Sequence, residues 1–205
     1  MKLKLYCSKT SPYARKVRIA IVEMGIEDSV TEVHTDPFDA PPDFLIANPL
    51  SKLPALVTER GDSLPDSALI LDYLTHRYSG LAPLPRGSKR WEVLRRTKLA
   101  DGILDGAVTT IMEKRRPEGI HYTPWLDRQA AAIQRALDAL NTEAAFLTAD
   151  KPGLCEVTCG AALGYLDFRM SYLDWRKGRA SLNAWYEPFS QRPSMLKTAP
   201  PAPSA

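Results

Sequence analysis

Cysteine is scarce in this sequence, and it has no long apolar run. Only Cys7, Cys155 and Cys159 occur among 205 residues, and an odd count without metal-type or disulfide-type spacing excludes a stapled secreted scaffold and fits a reducing compartment. Cys155 and Cys159 fall on one helix face, but two soft ligands without histidine neighbours make a poor zinc site, so no metal is expected and core packing is their expected role. No segment approaches the ~18 consecutive apolar residues of a membrane span. The opening Met1-Lys2-Leu3-Lys4-Leu5 lacks the apolar stretch and small-residue cleavage site of a signal peptide. A soluble, cytoplasmic protein without a membrane partner is expected. Charge of one sign is lacking too: 27 basic and 24 acidic residues leave a net +3 spread along the chain, so no nucleic-acid partner is expected. Arg95-Arg96 and Lys114-Arg115-Arg116 read as solvated helix faces.

The first third of the chain alternates strand and helix patterns. Leu3, Leu5 and Cys7 alternate with Lys2, Lys4 and Tyr6, the period of a half-buried strand. Ser11-Pro12 reads as a helix start, with serine as cap and proline at the first helical position. Val17, Ala20, Ile21 and Met24 then recur at helical spacing opposite Arg15 and Lys16, and Gly25 supplies the stop. Residues 30–34 form a second strand, Phe44-Leu45-Ile46 a short helix, residues 53–58 a third strand and Ser63-Leu64-Pro65 a fourth, paired to the third through the turn at residues 59–62. Asp66-Ser67 caps a helix carrying Leu69, Ile70, Tyr73 and Leu74. The order is βαβαββα.

After Pro83, Pro85 and Gly87 the strand patterns disappear. Ala100, Ile103, Leu104, Ala107, Val108 and Ile111 stripe one helix that Pro117 stops, and Leu126, Ala130, Ile133, Leu137 and Leu140 stripe another beginning at Thr123-Pro124. Gly153 to Met170 is nearly apolar all round and is expected at the centre of its domain, with Gly160 and Gly164 allowing close helix approach. The last helix is expected near Leu182 to Phe189, and residues 198–205 are too proline-rich to pack well. The boundaries are therefore 1–78 for an α/β domain, 79–88 for a linker and 89–205 for an all-helical domain.

Three local features bear on chemistry. At Thr10-Ser11-Pro12-Tyr13, a helix N-terminus offers a positive dipole end and a serine hydroxyl that can stabilise an anion such as a thiolate; the same turn is also an ordinary cap. At Leu53-Pro54, a cis bond would turn the Leu53 N–H and C=O outward to pair with an extended peptide ligand; a trans bond would simply start an edge strand. At Asp66-Ser67, a carboxylate and a hydroxyl at a helix start suit a ligand carrying both an ammonium and a carboxylate, and equally form an unremarkable cap.

Taken together, these runs resemble the cytosolic glutathione transferase family, in its bacterial, serine-type form. Residues 6–18 resemble the segment holding the catalytic Ser or Cys, residues 48–56 the stretch ending in the cis-proline, and residues 66–74 the acidic-Ser helix start that holds the γ-glutamyl end of glutathione. The resemblance implies a thioredoxin-like N-terminal domain followed by an all-helical C-terminal domain. It implies that Ser11 activates the glutathione sulfur, Leu53 with Pro54 binds the cysteinyl backbone, Asp66 and Ser67 bind the γ-glutamyl group, and Lys52 faces the glycine carboxylate. Tyr6, near the place of the tyrosine-type hydroxyl, is the second candidate for catalysis. The family opens its central helix with a Ser/Thr cap and an Asp three residues on; Gly153 and Glu156 stand there instead, an incomplete capping box.

The implied activity is conjugation of glutathione, as co-substrate, to a small hydrophobic electrophile in a detoxification role. A homodimer is implied, and the electrophile's pocket is expected between Ser11-Pro12-Tyr13 and the helical domain, with Ile111, Arg115 and residues 121–125 as candidate walls. Whether Asp101 or Asp105 reaches glutathione in the partner subunit is left open. Two other readings stand beside it: a glutathione-dependent peroxidase or reductase, and a non-catalytic binding protein of the same fold.

Overall fold

The computed structural model describes residues 2–201, which fall into two compact units. The first combines the chain up to Pro83 with the segment from Arg192 onward; the second runs from Leu84 to Gln191.

The first unit is a four-stranded mixed sheet with helices. Strands β1 (Leu3–Cys7), β2 (Val30–His34), β3 (Ala55–Val57) and β4 (Ser63–Pro65) lie in the order β2-β1-β3-β4, with β1 parallel to β2 and antiparallel to β3. Helices α1 (Pro12–Glu23), α2 (Pro42–Ala47) and α3 (Ser67–Arg77) alternate with the strands in the expected βαβαββα order. Strand β1 is paired on both edges and covered on both faces: Leu3, Leu5 and Cys7 are buried, and so is Tyr6. The half-buried strand expected from the alternation is thus corrected at Tyr6, whose ring packs on Phe44 with centroids 5.5 Å apart, among Ala47, Leu53 and Ala55.

Helix α1 ends where Gly25 takes φ +65. The Gly25 N–H donates to Val22 C=O and the Ile26 N–H to Ile21 C=O, the paired bonds of a left-handed glycine stop. The face expected to meet water does not. Arg15 and Lys16 are both buried; for Arg15 the cover is α8 (Pro193–Lys197), whose Met195 C=O accepts from its Nη2 at 3.1 Å. Helix α8 is tied to α1 again through Glu23, which accepts from Arg192 at 2.7 and 2.8 Å and from the Ser194 hydroxyl. Of the segment 198–205 expected not to pack, Thr198 is buried and donates through Oγ1 to Ser194 C=O, while Ala199 and Pro201 are exposed. Residues 202–205 of that expectation lie outside the described residues. The boundary expectation of 89–205 differs from the observed grouping at this segment, because an ion pair and two buried side chains, Ser194 and Met195, bind it to α1.

The second unit is all-helical: α4 (Ser88–Lys114), α5 (Thr123–Thr142), α6 (Leu154–Arg169) and α7 (Ala180–Ser190). Helix α6 is its centre, buried at every residue from Cys155 to Leu166. Gly106 lets α4 and α5 meet, since a Cβ there would stand 3.0 Å from Ile133. Trp175, Trp185, Tyr186 and Phe189 form an aromatic cluster, with Trp185 stacked on Phe189 at 4.7 Å and Trp175 edge-on to Tyr186 at 5.5 Å. Among the described residues no helix is long and apolar enough to cross a membrane.

Candidate functional site

The sheet register brings the three motifs to one end of the first unit. Tyr6 lies opposite Ala55, and Ala55 opposite Pro65. One step further along each strand, Cys7, Pro54 and Asp66 come level. Ser11 follows Cys7 by four residues, across a turn in which its N–H donates to Ser8 Oγ at 3.2 Å.

Ser11 caps α1 in extended geometry, and its Oγ accepts from the Ala14 N–H at 3.2 Å. The hydroxyl donates to no group among the described residues, and no acidic side chain stands in the first turn. The positive end of α1 is thus not neutralised by a local carboxylate, and one O–H remains to be donated. No histidine contacts Ser11, so the hydroxyl has no base to make it a nucleophile itself.

The Leu53–Pro54 bond is cis. Leu53 is at the edge of burial, within the cluster that holds Tyr6 and Phe44, and its own N–H and C=O precede the β-ladder, which begins at Ala55. The loop before it is held by a residue to which the sequence reading gave no role, Asn48. Buried at 1% exposure, Asn48 accepts the Leu50 N–H through Oδ1 and donates through Nδ2 to Lys52 C=O at 2.7 Å. Ser51, at φ +52, donates to Pro37 C=O at 2.8 Å. Lys52 itself is exposed, its ammonium outside any ion pair among the described residues.

Asp66 caps α3, and its Oδ1 accepts the Ala68 N–H at 2.6 Å. Its backbone stands at φ +75, ψ 135, which disfavours any residue with a Cβ by about 1–3 kcal/mol, a form of strain that clusters at ligand sites. Asp66 is exposed while the neighbouring Ser67 is buried.

Tyr6 does not join this group. Its hydroxyl donates to Asp43 Oδ2 at 2.8 Å and receives Lys4 Nζ, on the sheet face that carries α2. Burial pushes its phenol up, against the pull of Lys4 and with the push of Asp43. Cys7 is not a reactive thiol either: burial, helped by the Glu32 charge, pushes it up to about 12. The structure does bring Cys7 to residues far away in sequence, with its Sγ 3.8 Å from His34 Nδ1 and His34 Nε2 3.4 Å from Glu32 Oε2.

In the second unit, Ile111 and Arg115 lie at the end of α4, and the Tyr122 N–H donates to Glu113 Oε1 at 3.0 Å, tying residues 121–125 to that helix end. The capping of α6 is half present: Glu156 accepts the Gly153 N–H at 2.9 Å and the Thr148 N–H at 3.2 Å, while glycine has no side chain to return a bond.

A mixed four-stranded unit with a cis-proline and capped helix ends at one edge, plus a separate helical unit, defines a thioredoxin-like fold joined to an all-helical partner. Residues 10–77 match the family model of the glutathione S-transferase N-terminal domain, and residues 123–187 that of the glutathione S-transferase C-terminal domain. The chain belongs to the glutathione S-transferase family. It is 34% identical over 203 residues to the uncharacterized GST-like protein YibF of Escherichia coli K12, covering 97% of this chain and 99% of YibF. A glutathione transferase family member from Pseudomonas fluorescens Pf-5, solved with bound S-(propanoic acid)-glutathione, is 40% identical with a TM-score of 0.88 over the full length of both chains. The same family member was also solved with bound glutathione. A glutathione S-transferase from Methylobacillus flagellatus KT, solved with glutathione, is 34% identical with a TM-score of 0.87, covering 98% of this chain and 100% of that one.

Proposed function

We propose that this protein is a transferase that binds glutathione on its first unit, activates the thiol as thiolate at Ser11 and conjugates it to an electrophilic, partly hydrophobic small molecule. The observation that carries the reading is the Ser11 cap: one lone pair taken by the Ala14 N–H, one O–H undonated, and no acid in the first turn of α1. A free thiol has a pKa near 8.5, and lowering it by about two units requires about 2.7 kcal/mol of preference for the anion. A charge-assisted hydrogen bond of about 1.5–3 kcal/mol with a helix end of about 0.3–1 kcal/mol is of that size. Capping and activation are compatible, since one oxygen serves both.

The neighbouring sites are assigned accordingly. Asp66 faces the γ-glutamyl ammonium and Ser67 its carboxylate, Leu53 with Pro54 holds the cysteinyl backbone, and Lys52 faces the glycine carboxylate. The relatives solved with glutathione and with S-(propanoic acid)-glutathione support glutathione as co-substrate and a thioether as product. A cytoplasmic homodimer belongs to the same proposal.

The test is calorimetric titration of glutathione into wild type and Ser11→Ala, paired with the ultraviolet absorbance of bound thiolate at neutral pH. The reading expects binding by both proteins and a thiolate signal only in the wild type. Absence of binding by either protein would replace it with the non-catalytic reading. Product analysis completes the test: a thioether is expected, and oxidised glutathione alone would indicate a peroxidase or reductase.

A further inference from the structure

We propose that Cys7, Glu32 and His34 form a binding site for one zinc-class divalent cation, separate from the glutathione chemistry and not required by it. Parallel pairing of β1 and β2 sets Cys7 beside His34 and Leu5 beside Glu32. Glu32 and His34, two residues apart on one strand, therefore project to the same sheet face as Cys7. One donor atom from each of the three lies within 4.8 Å of the other two.

Four-coordinate zinc, with bonds of about 2.3 Å to sulfur and about 2.0–2.2 Å to nitrogen and oxygen, spaces its donors about 3.4–3.6 Å apart. The observed Sγ to Nδ1 distance of 3.8 Å is close to that without an ion. The remaining approach falls to His34, whose side chain is 46% exposed, while Glu32 Oε2 already stands 3.4 Å from His34 Nε2. Cys7 is fully buried, so an ion held here would have its sulfur side in protein and its open position toward water.

The donor chemistry selects the class of cation. A thiolate with an imidazole and a single carboxylate oxygen suits zinc and disfavours magnesium and calcium, which take oxygen shells. Arg18 Nε donates to Glu32 Oε1 at 2.7 Å. That bond fixes the carboxylate and leaves Oε2 for the metal, the arrangement in which an outer partner orients a ligand. Ligation converts the Cys7 thiol to a metal thiolate and releases its proton to solvent, so thiolate and carboxylate together balance the dication.

The test uses full-length, tag-free protein stripped of metal and reduced with a phosphine, with glutathione omitted because its thiol competes for zinc. Zinc is titrated against a chromophoric chelator, and cobalt is used as the spectroscopic probe. One equivalent of zinc is expected, together with a thiolate-to-cobalt charge-transfer band. His34→Gln and Glu32→Gln should each weaken binding by at least about tenfold, Cys7→Ser should abolish the band, and Cys155→Ala with Cys159→Ala should change neither. If Cys7→Ser fails to fold, the part-exposed His34→Gln decides alone. No competition with the chelator, or wild-type affinity in His34→Gln, overturns the proposal. Glutathione titration of His34→Gln should match wild type, which keeps this outcome distinct from any failure of the transferase reading.

Discussion

Helices α1 and α6 solve one problem in opposite ways. Each begins with N–H groups that have no acceptor within the helix. At α6 the Glu156 carboxylate takes the Gly153 N–H and reaches back to the Thr148 N–H, so the end is closed by a charge of the chain itself. At α1, Pro12 removes one N–H, Ser11 Oγ takes another, and no acidic residue stands in the first turn. The first arrangement is structural and sealed; the second has no acidic side chain in its first turn, and it is there that the proposed function puts the ligand's anion.

The largest effect that would break this contrast is on Glu156. Glu156→Ala leaves the buried Gly153 N–H and the part-buried Thr148 N–H without their acceptor and should destabilise the protein by about 3 kcal/mol, read as a lower denaturation midpoint at unchanged m-value. The comparable change at α1, Ser11→Ala, should act on chemistry instead. Transfer to a model electrophile should slow by about 100-fold, equivalent to about 2.7 kcal/mol, while stability falls by only about 1 kcal/mol for the lost cap. A large stability loss with unaltered rate would erase the distinction between the two helix ends.

Asp66→Asn separates cap from charge at α3. Asparagine caps as well as aspartate, so the melting temperature should hold, while calorimetry should show glutathione binding about tenfold weaker for the lost ammonium partner, a loss of about 1.4 kcal/mol.

The smallest effect is expected at the far end of α1. Burial alone would push the Glu23 carboxyl up, but the Arg192 guanidinium and the Ser194 hydroxyl outweigh it and hold the group below its ordinary range. A depressed folded-state pKa means stability that is complete above the unfolded value of about 4.3 and is lost as pH falls through the folded value. Urea denaturation between pH 7 and pH 3, a range of about four units across that window, should show a shallower acid limb in Glu23→Gln than in wild type.

Local signals reached most of the fold. The serine-proline start of α1, the glycine stop at Gly25, the strand alternation in β1 and the all-apolar α6 each announce themselves within one or two turns of chain. What local periodicity does not contain is cover from elsewhere. Arg15 reads as part of a wet face because α8, 180 residues away at their bond, cannot be placed from either segment. Tyr6 reads as outward for the same reason: its cover is Phe44 and Ala47 of α2, which the alternation of the strand cannot place. Ser11, Leu53, Pro54 and Asp66 were legible as motifs, and the sheet register that sets three of their runs level was not. The approach of Cys7 to Glu32 and His34 depends on parallel pairing across a crossover, and no spacing rule for metal ligands spans it.

The return of α8 has a consequence for anyone dissecting the molecule. Because residues from Arg192 onward complete the first unit, a single cut near residue 83 does not yield two intact fragments. The N-terminal piece would lack the Met195 carbonyl that receives Arg15 and the guanidinium that neutralises Glu23, and the C-terminal piece would carry an orphaned helix. The helical unit is, topologically, an insertion within the thioredoxin-like one. An autonomous version of the first unit should therefore be built by grafting residues 192–201 behind residue 83 through a flexible linker.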